Sequence, residues 1–147
     1  CLFQRDKRIL FSGDHLLGRV SLYYDYGYSP DPVGEFLESL SRVEDLDMRL
    51  CLSGHRRTFT DVQAHITANR VLVAERLEAC LTVVRERGPI TAFDAVPLVY
   101  GNAITPENAN WWLTETLCYL THLEATGRLE RVVAEHDAVA EHWVTSS

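Results

Sequence analysis

Nothing in this sequence approaches the run of about 20 apolar residues that crosses a bilayer. The pattern of a signal peptide, basic then apolar then small, is missing from its start as well. No C-x-x-C pair occurs among the four cysteines, Cys1, Cys51, Cys80 and Cys118. Their neighbours, as in Arg49-Leu50-Cys51-Leu52 and Ala79-Cys80-Leu81, read as core strand and helix positions. Small buried thiols are therefore expected, and with them a reducing, cytoplasmic setting. No G-x-S-x-G motif marks a serine nucleophile, and there is no internal repeat or low-complexity stretch. Positive charge is scarce towards the end: residues 91–147 hold eight acids against two bases, Arg128 and Arg131, a balance of −6 out of the chain's −7. Such a segment repels phosphate backbones, which speaks against nucleic-acid binding there.

What remains is an ordinary globular composition, 46% hydrophobic and 24% charged over 147 residues, enough for one domain or two very small ones. Cys1 to Gln4 and Arg8 to Phe11 flank the polar turn Arg5-Asp6-Lys7, a hairpin pattern. The second strand runs into Ser12-Gly13-Asp14-His15, where the chain must turn. Residues 18–30, rich in Gly, Tyr and Pro, read as a long ordered loop. Asp31 is a plausible N-cap with Pro32 at the first helical position. Val33, Phe36, Leu37, Leu40 and Val43 then form one apolar stripe. A short strand, Met48 to Leu52, closes on Ser53-Gly54-His55.

Asp61 caps a longer predicted helix to about Arg87, with Val62, Ile66, Val73, Leu77, Leu81 and Val84 along one face and Gly88-Pro89 as its stop. Thr91-Ala92-Phe93-Asp94 starts a short helix to about Val99 in the manner of a capping box, broken by Gly101 and Asn102. Thr105-Pro106 opens another, with Ala109, Trp112, Leu113, Leu117, Leu120 and Leu123 on its buried face and Gly127 as its stop. Leu129 to Val133 and Val139 to Val144 read as two strands around Glu135-His136-Asp137. The whole is a mixed α+β or α/β chain that ends in three helices and a two-stranded wing, a winged-helix-like pattern.

The chemistry sits at two strand ends, where open α/β folds commonly place ligands. Asp14 and His55 each follow a strand and a glycine. A carboxylate has two oxygens and can bridge two cations about 3.5–4 Å apart, and neutral imidazole is the commonest metal ligand. Alone, a Gly-Asp after a strand is usually a turn and a lone Gly-His is usually structural. His15 either faces the same cleft or packs behind it. Tyr23, Tyr24, Tyr26 and Tyr28 either line a substrate entrance or pin their loop to the surface. Arg56 and Arg57 either meet an anionic substrate or are exposed turn residues. His65, His122, His136 and His142 read as packing or surface residues. Trp111 and Trp112 cannot share one helix side, so one marks a contact, internal or with another subunit.

Taken together, Leu10-Phe11-Ser12-Gly13-Asp14-His15-Leu16-Leu17, then Pro32 to Leu40, then Leu50-Cys51-Leu52-Ser53-Gly54-His55, resemble the later part of the metallo-β-lactamase superfamily. In that family a G-D motif supplies the Asp that bridges two metals and a later G-H motif supplies a ligand to the second, which the resemblance carries to Asp14 and His55. The tail, through Gly88-Pro89-Ile90-Thr91-Ala92 and Thr114 to Arg128, resembles the small winged-helix module of some thioesterase-like, glyoxalase-II-like and ribonuclease-like members. The fold so implied is the second half of an αββα sandwich over residues 1–60, a connecting helix over 61–90 and a winged-helix-like module over 91–147. The family's H-x-H-x-D-H cluster and its isolated His belong upstream of Asp14, where only 13 residues stand and none is a histidine. With Cys1 rather than Met in first place, the expectation is a chain that lacks the N-terminal half of its domain and is inactive alone.

The function implied is that of a di-metal hydrolase, with zinc, or else iron or manganese, and a metal-bound hydroxide that attacks a small thioester, ester or similar acyl substrate. Asp14 would be the catalytic bridging ligand, and His15, Tyr24, Tyr26 and Arg56 the substrate-side residues. A binding module is the competing expectation. Residues 105–126 contain no Lys or Arg but have Glu107, Glu115 and Glu124. A recognition helix needs basic residues, so packing or dimerisation is favoured for this module over nucleic acid. A nuclease-type parent has no basic channel here to support it.

Overall fold

Alternation of apolar residues builds the first sheet. The computed structural model describes residues 1–18, 22, 24–101, 104–134 and 137–146, with the backbone alone for 133, 134 and 137–139. β1 (Leu2–Gln4) pairs antiparallel with β2 (Ile9–Gly13), Phe3 opposite Leu10, as the hairpin pattern predicts. β2 then pairs in parallel with β3 (Leu50–Ser53), Leu10 beside Cys51 and Phe11 beside Leu52, so the order is β1-β2-β3. One face of this sheet carries Phe3, Leu10 and Cys51 into a core with Leu16, Leu40, Val43, Phe59, Val62 and Ile66. Phe59 closes the outer edge of β3 by exchanging backbone hydrogen bonds with Cys51 at 2.8 and 3.1 Å. The other face is also apolar. Leu2 is 75% and Phe11 47% exposed there, beside the half-buried Leu52, Ile9 and Leu50.

The chain forms two compact units, residues 1–22 with 36–72 and residues 23–35 with 73–147. Two helices contribute to both. α1 (Pro32–Glu44) starts at Asp31, whose Oδ1 accepts the Gly34 N–H at 2.9 Å and whose carboxylate also meets His122 Nδ1 at 2.9 Å. α2 (Val62–Arg87) starts at Asp61, whose Oδ1 accepts the Ala64 N–H at 3.2 Å. Its predicted stripe from Val62 to Val84 is buried throughout.

In the second unit β4 (Ile90–Thr91) leads into α3 (Ala92–Tyr100), α4 (Ala109–Ala125), β5 (Leu129–Ala134) and β6 (Asp137–Thr145). β6 lies between β4 and β5, antiparallel to both. The sheet thus has three strands where the sequence pattern indicates two, because a two-residue strand shows no periodicity of its own. Glu135 and His136 of the expected turn lie outside the described residues, as do Tyr23 and Asn102.

The helix expected from Thr105 begins at Ala109 instead. The Asn108 side chain turns back to accept the Thr105 N–H at 2.6 Å, and the Thr105 carbonyl accepts the N–H groups of Asn108 and Ala109. That closes a separate turn before the helix. Its buried face is also shifted: Glu115, Thr116, Cys118 and Tyr119 lie inside with Leu120 and Leu123, whereas Ala109, Leu113 and Leu117 are only half-buried. The expected split of the tryptophans holds, Trp111 exposed and Trp112 stacked on Tyr100 at 4.3 Å. Three cysteines are buried as expected, but Cys1 is exposed.

Glu115 is the unexpected core residue, 5% exposed. It accepts the Tyr119 hydroxyl at 2.9 Å and lies in the field of Arg76, whose guanidinium stacks over Tyr100 at 4.7 Å. Burial raises its carboxyl pKa, opposed mainly by the hydrogen bond from Tyr119 and by the positive charge of Arg76. Since the folded value lies above the unfolded one, of about 4.3, the contribution to stability is full below that value and is lost as pH rises through the folded one. Urea midpoints taken between pH 4 and 8 should therefore show Glu115→Gln gaining on the parent as pH rises; a gap that does not change with pH refutes this. Asp31→Ala should cost about 1–2 kcal/mol from the lost cap, and a double-mutant cycle with His122→Ala should show coupling of about 0.5 kcal/mol or more.

Candidate metal centre

The site is built by one pairing. Because β2 and β3 run in the same direction, both deliver a Ser-Gly-(Asp or His) segment to the same end of the sheet. The pairing continues one step further through Gly54 N–H to the Gly13 carbonyl at 2.8 Å. Gly13 adopts φ +55°, a left-handed turn that a side chain would strain. Gly54 has a different reason to be glycine: a Cβ there would stand 2.7 Å from Asp14 Oδ1 and 3.1 Å from the Gly13 carbonyl carbon.

Two serines hold the turns. Ser12 Oγ donates to the Leu16 carbonyl at 2.6 Å, and its own carbonyl accepts the His15 N–H at 3.2 Å. Ser53 Oγ reaches the carbonyls of His55 at 2.8 Å and Arg57 at 3.2 Å, around Arg56 at φ +67°. Neither serine was expected from the sequence, although the repeated Ser-Gly before each candidate ligand is a usable signal. The result is that His55 Nε2 lies 3.3 Å from Asp14 Oδ1, with side chains 70% and 69% exposed.

That spacing suits donors to one cation. With metal–ligand distances of about 2.0–2.2 Å and tetrahedral angles, two donors stand roughly 3.3–3.5 Å apart. The pair is nevertheless incomplete: among the described residues no group of three or more His, Cys, Asp or Glu is placed to hold a metal. Two donors fit part of a coordination sphere and do not complete it.

The remaining candidates have surroundings of their own. His15 turns its ring against Phe36, 5.4 Å between centroids, with both ring nitrogens buried and unpartnered among the described residues. Burial, and then the positive N-terminus, lower its pKa, which favours the neutral ring. Arg56 is exposed on the turn after His55. Tyr24 and Tyr26 belong to the second unit. Tyr24 is buried edge-on against Tyr119 at 5.6 Å, and the Tyr26 hydroxyl donates to Glu141 at 3.3 Å. His65 stacks on Phe59 at 4.0 Å, a packing role as expected.

Gly54→Ala should push the Asp14 carboxylate away from His55 and destabilise the fold by about 1–3 kcal/mol through crowding at the strand end. Urea denaturation, with the His55 ring signals read by NMR, checks both effects.

No protein-family model matches the sequence, and no curated protein matches it. Solved structures do. A β-lactamase domain protein from Burkholderia ambifaria superposes with TM-score 0.86 at 26% identity, over 98% of this chain and 43% of that one. A metallo-β-lactamase family protein from Thermus thermophilus does so with TM-score 0.80 at 26% identity, over 97% and 44%. The chain therefore spans less than half the length of either structure. Among the described residues no helix is long and apolar enough to cross a membrane. In sequence and in mixed α+β fold, the chain is similar over nearly its whole length to metallo-β-lactamase-family proteins, a family of hydrolases.

Proposed function

We propose that this chain is part of a di-metal hydrolase of the metallo-β-lactamase type, acting on a thioester, ester or similar acyl substrate. The observation that carries the reading is the 3.3 Å approach of His55 Nε2 to Asp14 Oδ1 at two parallel strand ends. Asp14 is assigned as the ligand shared between two divalent cations, zinc or else iron or manganese, and His55 as a ligand to one of them. Bound there, such cations would lower the pKa of a water and polarise an acyl carbonyl. This chain's own part is to hold the carboxylate and imidazole on rigid strand ends, fixed by Ser12 and Ser53. Arg56, exposed on the same turn as His55, is assigned to the substrate side.

Two further observations support a site completed from outside these 147 residues. Among the described residues the donor set is short, and the first sheet leaves Leu2 and Phe11 exposed beside the half-buried Leu52. A sheet apolar on both faces belongs between two layers. The second layer and the remaining ligands are assigned to the N-terminal half of the same domain, so the 147-residue chain alone is inactive. Residues 1–60 then form the metal-bearing part, 61–90 the connecting helix and 91–147 a winged-helix-like contact module. The lack of Lys and Arg in α4 argues against a nucleic-acid role for that module.

Full-length protein should carry about two divalent cations per chain. Asp14→Ala and His55→Ala should each lower metal affinity by more than about 100-fold, beyond the loss typical of a residue that only supports a ligand. Hydrolysis of an acyl-thioester test substrate should fall in parallel. Full metal content in Asp14→Ala would falsify the bridging assignment.

A further inference from the structure

The second unit carries an apolar groove that the metal chemistry does not use. A cavity of about 390 Å³ opens between α3 and α4, lined by Phe93, Val96, Pro97, Ile104 and Leu113, with Asp94 at its edge. Phe93 and Leu113 also line a second depression of about 440 Å³, over Leu117, Tyr26 and Trp143, with Glu141. The two depressions thus flank one Phe93–Leu113 pair. Phe93 is 74% exposed although it stands in the first turn of a helix whose neighbours Ala92, Ala95 and Val96 are buried. Leu113 and Leu117, one turn apart on α4, are half-buried and face these hollows. Contiguous exposed apolar surface of this kind marks a contact site more than scattered exposed side chains do.

Charge decides what covers it. Among the described residues no Lys or Arg lines either depression. Asp94 lines the first, and Glu141 in the second is already paired with Arg131, so the acidic charge left at the groove is that of Asp94 and the nearby Glu107. Glu107 borders the adjoining hollow that shares Asn110. The two arginines of residues 91–147 are both engaged: Arg128 pairs with Glu78 at 3.0 Å, and Arg131 with Glu124 at 2.6 Å and Glu141 at 2.5 Å. A second copy of this chain, at net −7, would bring like charge to like charge, which disfavours self-association through this face.

We propose that the α3–α4 groove docks a basic amphipathic helix of a partner protein. Two apolar residues about one turn apart would fill the depressions on either side of Phe93 and Leu113. Flanking Lys or Arg side chains would meet Asp94 and Glu107. This is helix-in-groove recognition, in which the apolar anchors provide affinity and the acidic rim selects sign. The inference extends the reading of the second unit as a contact module and does not rest on the metal site.

The test is fluorescence anisotropy of a labelled 18-residue peptide of Leu, Ala and Lys, with leucines on one helical face, titrated with this chain in the presence of chelator. Binding in the micromolar range is expected, weakening as salt is raised from about 0.05 to 0.5 M. The same peptide with Glu for Lys, or with its residues scrambled so that no apolar face forms, should bind at least tenfold more weakly. Phe93→Ala, at an exposed position, should keep the urea midpoint and lose at least tenfold in affinity; Glu107→Gln should lose about two- to fivefold and flatten the salt dependence. Equal binding of the scrambled peptide, or unchanged affinity in Phe93→Ala, overturns the proposal. So does a dimer by sedimentation that Phe93→Ala dissolves, since that would assign the groove to a second copy.

Discussion

The parallel pairing of β2 with β3 is the constraint on which the candidate site depends. An antiparallel partner would carry His55 to the far end of the sheet from Asp14. Parallel strands need a crossover connection of a dozen residues or more, and here residues 14–49, including α1, supply it. Leu40 and Val43 of α1 pack on Leu10 and Cys51, so the crossover also buries the face that fixes the register. A slip of β3 by one residue against β2 would turn Cys51 to the outer face and Leu52 inward beside Leu10. It would also separate Gly54 N–H from the Gly13 carbonyl, and with it the two candidate ligands. Position at this site is therefore set by core packing, and the exposed Asp14–His55 contact contributes little to holding it.

Much of this was legible because the signals are local. Asp31, Asp61 and Thr91 act as helix caps through contacts three residues on, to Gly34, Ala64 and Asp94, within reach of a pattern read along the chain. The two glycine-bounded strand ends were legible for the same reason, and they picked out Asp14 and His55. Their 3.3 Å separation was not, since it depends on residues 41 positions apart meeting through a sheet.

The failures share a cause. β4 exists only by pairing with His142 and Trp143, some fifty residues later. α4 starts late because Asn108 serves the preceding turn, a competition between two local hydrogen bonds that composition does not rank. The buried face of α4 differs from the expected one because Glu115 is charged by type, and the Tyr119 hydroxyl and the Arg76 charge make its burial tolerable. The tyrosine loop illustrates the same limit. Tyr24 and Tyr28 are alike in sequence setting, yet one is buried against Tyr119 and the other lies open to solvent.

The outward apolar face of the first sheet and the donor pair share one strand. β2 places Leu10 and Ser12 on the buried face and leaves Phe11 outward, and the same strand ends at Asp14. A layer packed over Phe11 and Leu52 would remove an exposed aromatic ring from water, which is favourable in proportion to the apolar area covered. It would also bring new side chains to the strand end that carries the two donors. A carboxylate and an imidazole held 3.3 Å apart in high dielectric attract each other weakly. Surrounded by further donors and shielded from water, the same pair becomes a strong site for a divalent cation. The fold of this chain prepares that arrangement through backbone pairing and two serine-fixed turns. In the proposed hydrolase, a covering layer would supply the desolvation and the rest of the ligands.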